Sequence, residues 1–227
     1  MSTKKLGALA FLRNLRNMTD AGIPTSTLSN YGRMLNFERT LPFRFVAAAN
    51  TNPRLEHIIE PWMLKCLEEQ AELPGRTVFL IDVSGSMFGP RVSARSELDR
   101  FDAAAALTML GRELCADVGV YSFSTNLAEV PARRGFALRD AIRGSQPHSS
   151  TYLGKALTAL QARTTWDHLI VVTDEQSSDR IPAHLPGKKY LINVASYQNS
   201  IAHSDWTRIT GWSETVMDYI RMAEACG

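Results

Sequence analysis

Two unbroken apolar runs, Val78-Phe79-Leu80-Ile81 and Leu169-Ile170-Val171-Val172, constrain the fold of this chain more than any other feature. Neither alternates with polar residues, and both are short for helices. They are expected as strands buried on both faces, the pattern of a parallel sheet covered by helices on each side. Each run closes on a carboxylate, Asp82 directly after Ile81 and Asp174 after Val172-Thr173. In open sheets of this class, sites gather beyond the carboxyl ends of the strands.

The rest of the chain from Arg76 onward keeps that rhythm. Strands are predicted at Val78 to Asp82, Val118 to Ser124, His168 to Asp174, Tyr190 to Ala195 and Trp206 to Gly211, with Val130 marking a short edge strand. Helices are predicted at Phe101 to Cys115, Ala137 to Arg143, Tyr152 to Arg163 and Glu214 to Ala225, the last capped by Ser213. The expected class is α/β, a doubly wound, mostly parallel sheet with an N-terminal helical extension.

That extension, residues 1–73, reads as helices without strands. Ala8, Phe11, Leu12, Leu15 and Met18 make one apolar stripe, with Arg13 and Arg16 on the other side. Gly22 and Pro24 end that helix, and Thr27 to Asn36 and Pro42 to Ala49 form two short ones. Asn50-Thr51-Asn52-Pro53 is expected as a turn, Glu60-Pro61 as the start of a helix carrying Trp62, Met63, Cys66 and Leu67, and Leu73-Pro74-Gly75 as the separator before the first strand. The expected domains are therefore 1–73 and 74–227. A chain of 227 residues, 44% hydrophobic, has room for one substantial core and a modest addition.

Charge is unevenly spread. Residues 1–54 hold eight basic side chains against two acidic ones, and the remainder seventeen against twenty-one. A basic arm on a mildly acidic body fits either an anionic partner or mutual docking. Lys4, Lys5, Arg13 and Arg16 are the candidates for phosphate contact, although a solvated helix face explains them equally on charge alone, and aromatic platforms for bases are not evident. No run of apolar residues is long enough to span a membrane, and the N-terminus does not read as a secretory leader, so a cytoplasmic protein is expected. Cys66, Cys115 and Cys226 are odd in number and widely spaced, which favours buried thiols over disulfides or zinc.

The chemistry lies in Asp82-Val83-Ser84-Gly85-Ser86-Met87, where a strand delivers a carboxylate and two hydroxyls at alternate positions onto one tight turn. Thr151 and Asp174 supply the missing donors from two distant stretches. Hard oxygen ligands of this kind suit Mg²⁺ or another divalent cation. Either aspartate alone would read as a helix cap, but three converging elements favour a metal. An aspartyl nucleophile would want a second carboxylate where Ser84 stands, and Gly85-Ser86-Met87-Phe88 is not a hydrolase elbow. His57, His148, His168, His184 and His203 lack ligand spacing and read as surface or loop, with His148 nearest the metal face. No enzyme is expected.

Asp-x-Ser-x-Ser, a distant Thr, and a strand ending in Thr-Asp together resemble the metal-ion-dependent adhesion site of von Willebrand factor A domains. The resemblance implies that Ser84 and Ser86 bind the metal directly, and Asp82, Thr151 and Asp174 directly or through water. The loop before the threonine departs from the usual Gly-Gly-Thr, reading Ser149-Ser150-Thr151.

The preceding segment resembles the end of the RNA-binding helical-repeat (TROVE) module of the Ro ribonucleoprotein autoantigen family. Ala8 to Met18 is similar to one of its helices and Leu41 to Ala48 to a later one, and Ile59 to Glu69 running into Pro74-Gly75-Arg76-Thr77 resembles the junction between the two modules. By resemblance, the chain is a Ro-like, RNA-associated protein whose A domain binds Mg²⁺ and, through it, an acidic group of a protein partner. The family's Y RNAs and its bacterial members' work with exoribonucleases imply noncoding RNA binding or RNA quality control as the setting. Only the last helices of the family's ring fit in the first 73 residues, so ring-threading of RNA does not carry over. The alternative is a metal-dependent protein-interaction module with no RNA role, like the A domains that serve chelatase or AAA ATPase partners.

Overall fold

The structure, a computed structural model, describes residues 6–38, 40–67, 70, 72–93, 96, 98–195, 205–211 and 215–225. The chain divides into two compact units, residues 1–70 and 71–227.

The first unit is helical: α1 (Ala8–Asp20), α2 (Thr25–Arg33), α3 (Phe43–Thr51) and α4 (Glu56–Lys65). Phe11, Leu12 and Leu15 of α1 turn inward, while Arg13 and Arg16 are exposed. The core centres on Trp62, whose ring stacks on Phe37 at 5.6 Å and meets the edge of Phe11 at 5.7 Å. Gly32 makes room for it, because a Cβ there would fall 2.1 Å from Trp62 Cζ2. Two boundaries differ from expectation. α3 continues through Thr51 into a single 3₁₀ turn at Pro53–Leu55, and α4 starts at Glu56, leaving Pro61 inside it. An interior proline costs a helix about 3 kcal/mol; burial of Ile58, Ile59, Trp62 and Met63 on α4 offsets it.

The second unit is an α/β fold of six strands: β1 (Leu73–Asp82), β2 (Cys115–Phe123), β3 (Leu127–Glu129), β4 (His168–Thr173), β5 (Lys188–Asn193) and β6 (Thr207–Thr210). Their order is β3-β2-β1-β4-β5-β6, with every pairing parallel except the edge pair β2–β3. The helices are α5 (Arg100–Leu114), α6 (Gly135–Arg143), α7 (Leu153–Gln161) and α8 (Val216–Ala225). This is the doubly wound architecture expected from the two apolar runs. β1 starts earlier than predicted, taking in Leu73-Pro74-Gly75 through an irregular register that Gly75 accommodates at φ +81°. The expected cap Ser213 and helix start Glu214 lie outside the described residues, as do Lys4, Lys5, Cys226 and His203.

Side-chain alternation sorts the core. Val78, Leu80, Tyr121, Phe123, Leu169 and Val171 face α7 and pack on Leu153, Leu157 and Leu160. The opposite face receives α5, where Gly111 lies flat on Phe79 so closely that a Cβ would come within 2.0 Å of the ring. α5 opens with a capping box, Asp99 accepting from the Asp102 amide at 2.7 Å and Asp102 from that of Asp99. Cys115 is a buried free thiol and Cys66 a half-buried one, and burial pushes both up to about 11. One histidine departs from the surface reading: His168 sits buried at the start of β4, its Nε2 3.4 Å from Glu224 on α8.

Candidate metal centre

Strand order reverses between β1 and β4, and at that point β1 ends in Asp82 and β4 is followed directly by Asp174. Asp82 and Asp174 have no exposed side-chain surface to speak of. Asp82 is held on two sides: Oδ1 accepts the Ser84 amide at 2.9 Å, and Oδ2 accepts the Thr173 hydroxyl at 2.6 Å. Even so, burial pushes its carboxyl up to about 6, and the neighbouring Asp174 charge adds to that rise while the hydrogen bonds oppose it. Hydrogen bonding thus offsets only part of the cost of burying the Asp82 carboxylate.

The hydroxyls stand next to this pair. Ser84 is buried, and its Oγ lies 3.2 Å from Ser86 Oγ across a single 3₁₀ turn, Gly85–Met87. The 149–151 loop closes the site from the side. Ser149 O accepts the Gly85 amide at 3.3 Å, and the carbonyl of Thr151, itself buried, accepts the Ser178 amide at 2.8 Å. Ser149-Ser150 is pinned by Ser124, whose Oγ accepts the Ser149 amide at 2.9 Å and donates to Ser150 O at 3.1 Å. The backbone at Ser149 and Thr151 therefore joins the Asp82–Ser86 turn to the segment after Asp174. His148 is exposed as expected but anchored, with Nδ1 2.8 Å from Val83 O and its ring against Phe88 at 4.1 Å.

Arg100 is the residue that motif reading missed. It heads the Ala-rich helix α5, and its Nη1 donates to Asp174 Oδ2 at 2.8 Å and to Ser86 O at 3.2 Å, with the side chain only 10% exposed. The available signal was an arginine at the start of a helix otherwise built for burial, Arg100-Phe101-Asp102-Ala103-Ala104-Ala105-Ala106. Glu175 was missed as well. It is buried at φ +58° and takes Arg208 Nε at 2.7 Å, a second bond from Arg208 Nη2, and the Asn193 side-chain amide at 2.9 Å.

The donor set fits a hard divalent cation: two buried carboxylates and two adjoining hydroxyls at the switch point, all oxygen. Among the described residues no three His, Cys, Asp or Glu side chains group as a metal cluster. Of the residues singled out for RNA, Arg13 and Arg16 are exposed on α1, and Arg16 lies 3.8 Å from Asp20.

No family model and no curated protein matches this chain. Among solved structures, the Ro (Rsr) protein of Deinococcus radiodurans is similar over 95% of this chain with a TM-score of 0.67 and 19% identity. At that identity the likeness is one of fold. The chain spans about half, 52%, of the Deinococcus protein. An aerotolerance-related membrane protein of Bacteroides fragilis aligns over 66% of this chain and 97% of its own, with 12% identity and a TM-score of 0.46. Among the described residues no helix is long and apolar enough to cross a membrane.

Proposed function

We propose that the second unit is a divalent-cation-dependent binding module of the von Willebrand A type, without catalytic activity, in a Ro-like, RNA-associated protein. The observation that carries this is the buried pair Asp82 and Asp174 beside Ser84 and Ser86, whose charge asks for a cation. Ser84, Ser86, Asp82, Thr151 and Asp174 would hold Mg²⁺, directly or through water. The bound ion supplies an open coordination position that an acidic side chain of a partner protein fills. The Asp82–Thr173 and Asp82–Ser84 bonds orient one carboxylate in advance, and Ser124 fixes the loop that carries Thr151.

The fold shared with the Deinococcus Ro (Rsr) protein supports the Ro-like reading, and the exposed guanidinium groups of Arg13 and Arg16 supply cations for phosphate contact. The reading without RNA draws on one observation: Arg16 already has Asp20 beside it, which leaves Arg13 as the cation of α1 with no ion pair among the described residues. Two measurements test the function. Thermal melts of wild type and Asp82→Ala with MgCl₂ or chelator should show Mg²⁺-linked stabilisation in the wild type alone, and equal behaviour rejects the metal. Filter binding to structured RNA should fall steeply as salt rises. No retention at low salt rejects the RNA role and leaves the protein-interaction module.

A further inference from the structure

The edge of β2 carries a second candidate site, remote in chemistry from the aspartate pair. β3 pairs with β2 only at Tyr121, Ser122 and Phe123, and the last bond on that side runs from the Val130 amide to Val120 O at 2.9 Å. The chain then leaves the sheet at Pro131. On the opposite side, Phe123 O accepts from Val83 of the turn after β1. Backbone groups along a strand alternate sides, so those of Val118, two residues before Val120, point out of the sheet toward the line that β3 has vacated.

A cavity of about 330 Å³ lies at this place. Its wall includes β2 from Val118 to Tyr121, Pro131 where the chain departs, Leu138 of α6, and three arginines, Arg76, Arg112 and Arg133, against the single carboxylate of Glu129. Arg112 stands on α5, on one face of the sheet. Arg76 lies toward the other face, beside Gly119 and Tyr121, where it pairs with Asp117 at 2.7 Å. Arg112 and Arg133 make no ion pair among the described residues. The cavity therefore wraps an open strand edge with positive charge in excess on its walls.

We infer that this edge takes an extended, acidic segment of a partner protein as an added strand. Main-chain bonds to Val118 would hold the segment, and its Asp or Glu side chains would meet Arg112 and Arg133. A strand amide pair is a recognition element for polypeptide, which favours a peptide over a nucleic acid here. The site is independent of the metal reading, since none of its residues belongs to the aspartate centre.

Fluorescein-labelled hexaglutamate with a blocked C-terminus is the probe, read by anisotropy at low salt with the full chain. Binding is expected in the wild type, weakened by about tenfold or more in the Arg112→Ala, Arg133→Ala double variant. A peptide with six glutamates interleaved with prolines carries the same charge but cannot pair as a strand, and should bind about tenfold more weakly than hexaglutamate. A wild type that ignores hexaglutamate overturns the inference. So does equal binding by the double variant, or by the proline peptide, which would reduce the site to a charged patch. An oligouridylate of the same charge that displaces the peptide and binds more tightly would also overturn it in favour of nucleic acid. Circular dichroism of the double variant keeps loss of binding distinct from loss of fold.

Discussion

The guanidinium of Arg100 sits 2.8 Å from Asp174, with Nη1 on Oδ2 and both side chains almost wholly withdrawn from water. The same nitrogen reaches Ser86 O at 3.2 Å. A cation carried by α5 thus already neutralises part of the charge for which a divalent ion would compete. Arg100→Met keeps the volume of the stem and removes the charge. Without divalent metal the variant should lose about 3 to 5 kcal/mol, the cost of leaving a buried carboxylate unpaired. Mg²⁺ should then raise its melting temperature by more than it raises that of the wild type. Calorimetric melts over a MgCl₂ series check this, and a shift no larger than in the wild type would show that Arg100 and the ion do not share Asp174.

Asp82 makes a pH prediction. Its folded-state carboxyl is raised to about 6 from an ordinary value of 3.8, with burial as the main cause. The folded protein therefore binds this proton more tightly than the unfolded chain does. The associated stability is fully present below the unfolded value and is lost as pH rises through the folded one, amounting to about 3 kcal/mol by pH 7. In chelator, Asp82→Asn should remove this falling limb between roughly pH 4 and pH 6, so that the difference between variant and wild type grows with pH. Urea titrations at several pH values measure it. A difference that does not vary with pH would mean that Asp82 titrates normally in the folded protein.

The two apolar runs were enough to give the sheet class, and the aspartates that close them fell at the reversal point because strand ends in such a sheet do. Ser84 and Ser86 were legible for the same reason, as alternate positions after a strand end. Arg100 was not, since its role depends on α5 crossing above Asp174, and its separation of seventy-four residues from that partner hides the pairing from local pattern. Glu175 was hidden differently. A glutamate after a strand reads as solvent-facing, and only the arrival of Arg208 from β6 explains its burial. Pro61 misled because proline marks a helix start when nothing earlier does, whereas here the Pro53–Leu55 turn had already begun one.

The Glu175–Arg208 pair ties the edge strand β6 to the end of β4. Glu175 is buried and Arg208 keeps 27% of its side chain exposed. Glu175→Gln preserves shape while leaving the guanidinium with a neutral acceptor. The expected loss is about 2 to 3 kcal/mol, below the roughly 3 to 5 typical of a fully buried pair because Arg208 retains access to water. Equilibrium denaturation reads the loss directly. A change under about 0.5 kcal/mol would place this pair with surface bridges.

Gly154 links stability to the candidate metal centre. At the start of α7, its amide and that of Lys155 donate to Asp179 at 2.9 and 2.7 Å, and Leu153 N bonds Ser177 Oγ at 3.2 Å. These bonds seat the segment that follows Asp174 on the helix that follows Thr151. A Cβ at residue 154 would lie 1.9 Å from the backbone oxygen of Arg180, and backbone cannot swing aside as a side chain can. Gly154→Ala should push residues 177–180 off the helix start, with a loss of at least the 1 to 3 kcal/mol usual for overpacking, roughly. Because Ser178 also bonds Thr151 O, the displacement reaches the candidate ligands. Mg²⁺-linked stabilisation should therefore shrink along with overall stability, whereas Gly111→Ala, which crowds Phe79 beneath α5, should lower stability and leave the metal linkage nearer to wild type. Melts of both variants with and without MgCl₂ separate the two effects. Equal linkage in both would mean that the 177–180 segment does not position the site.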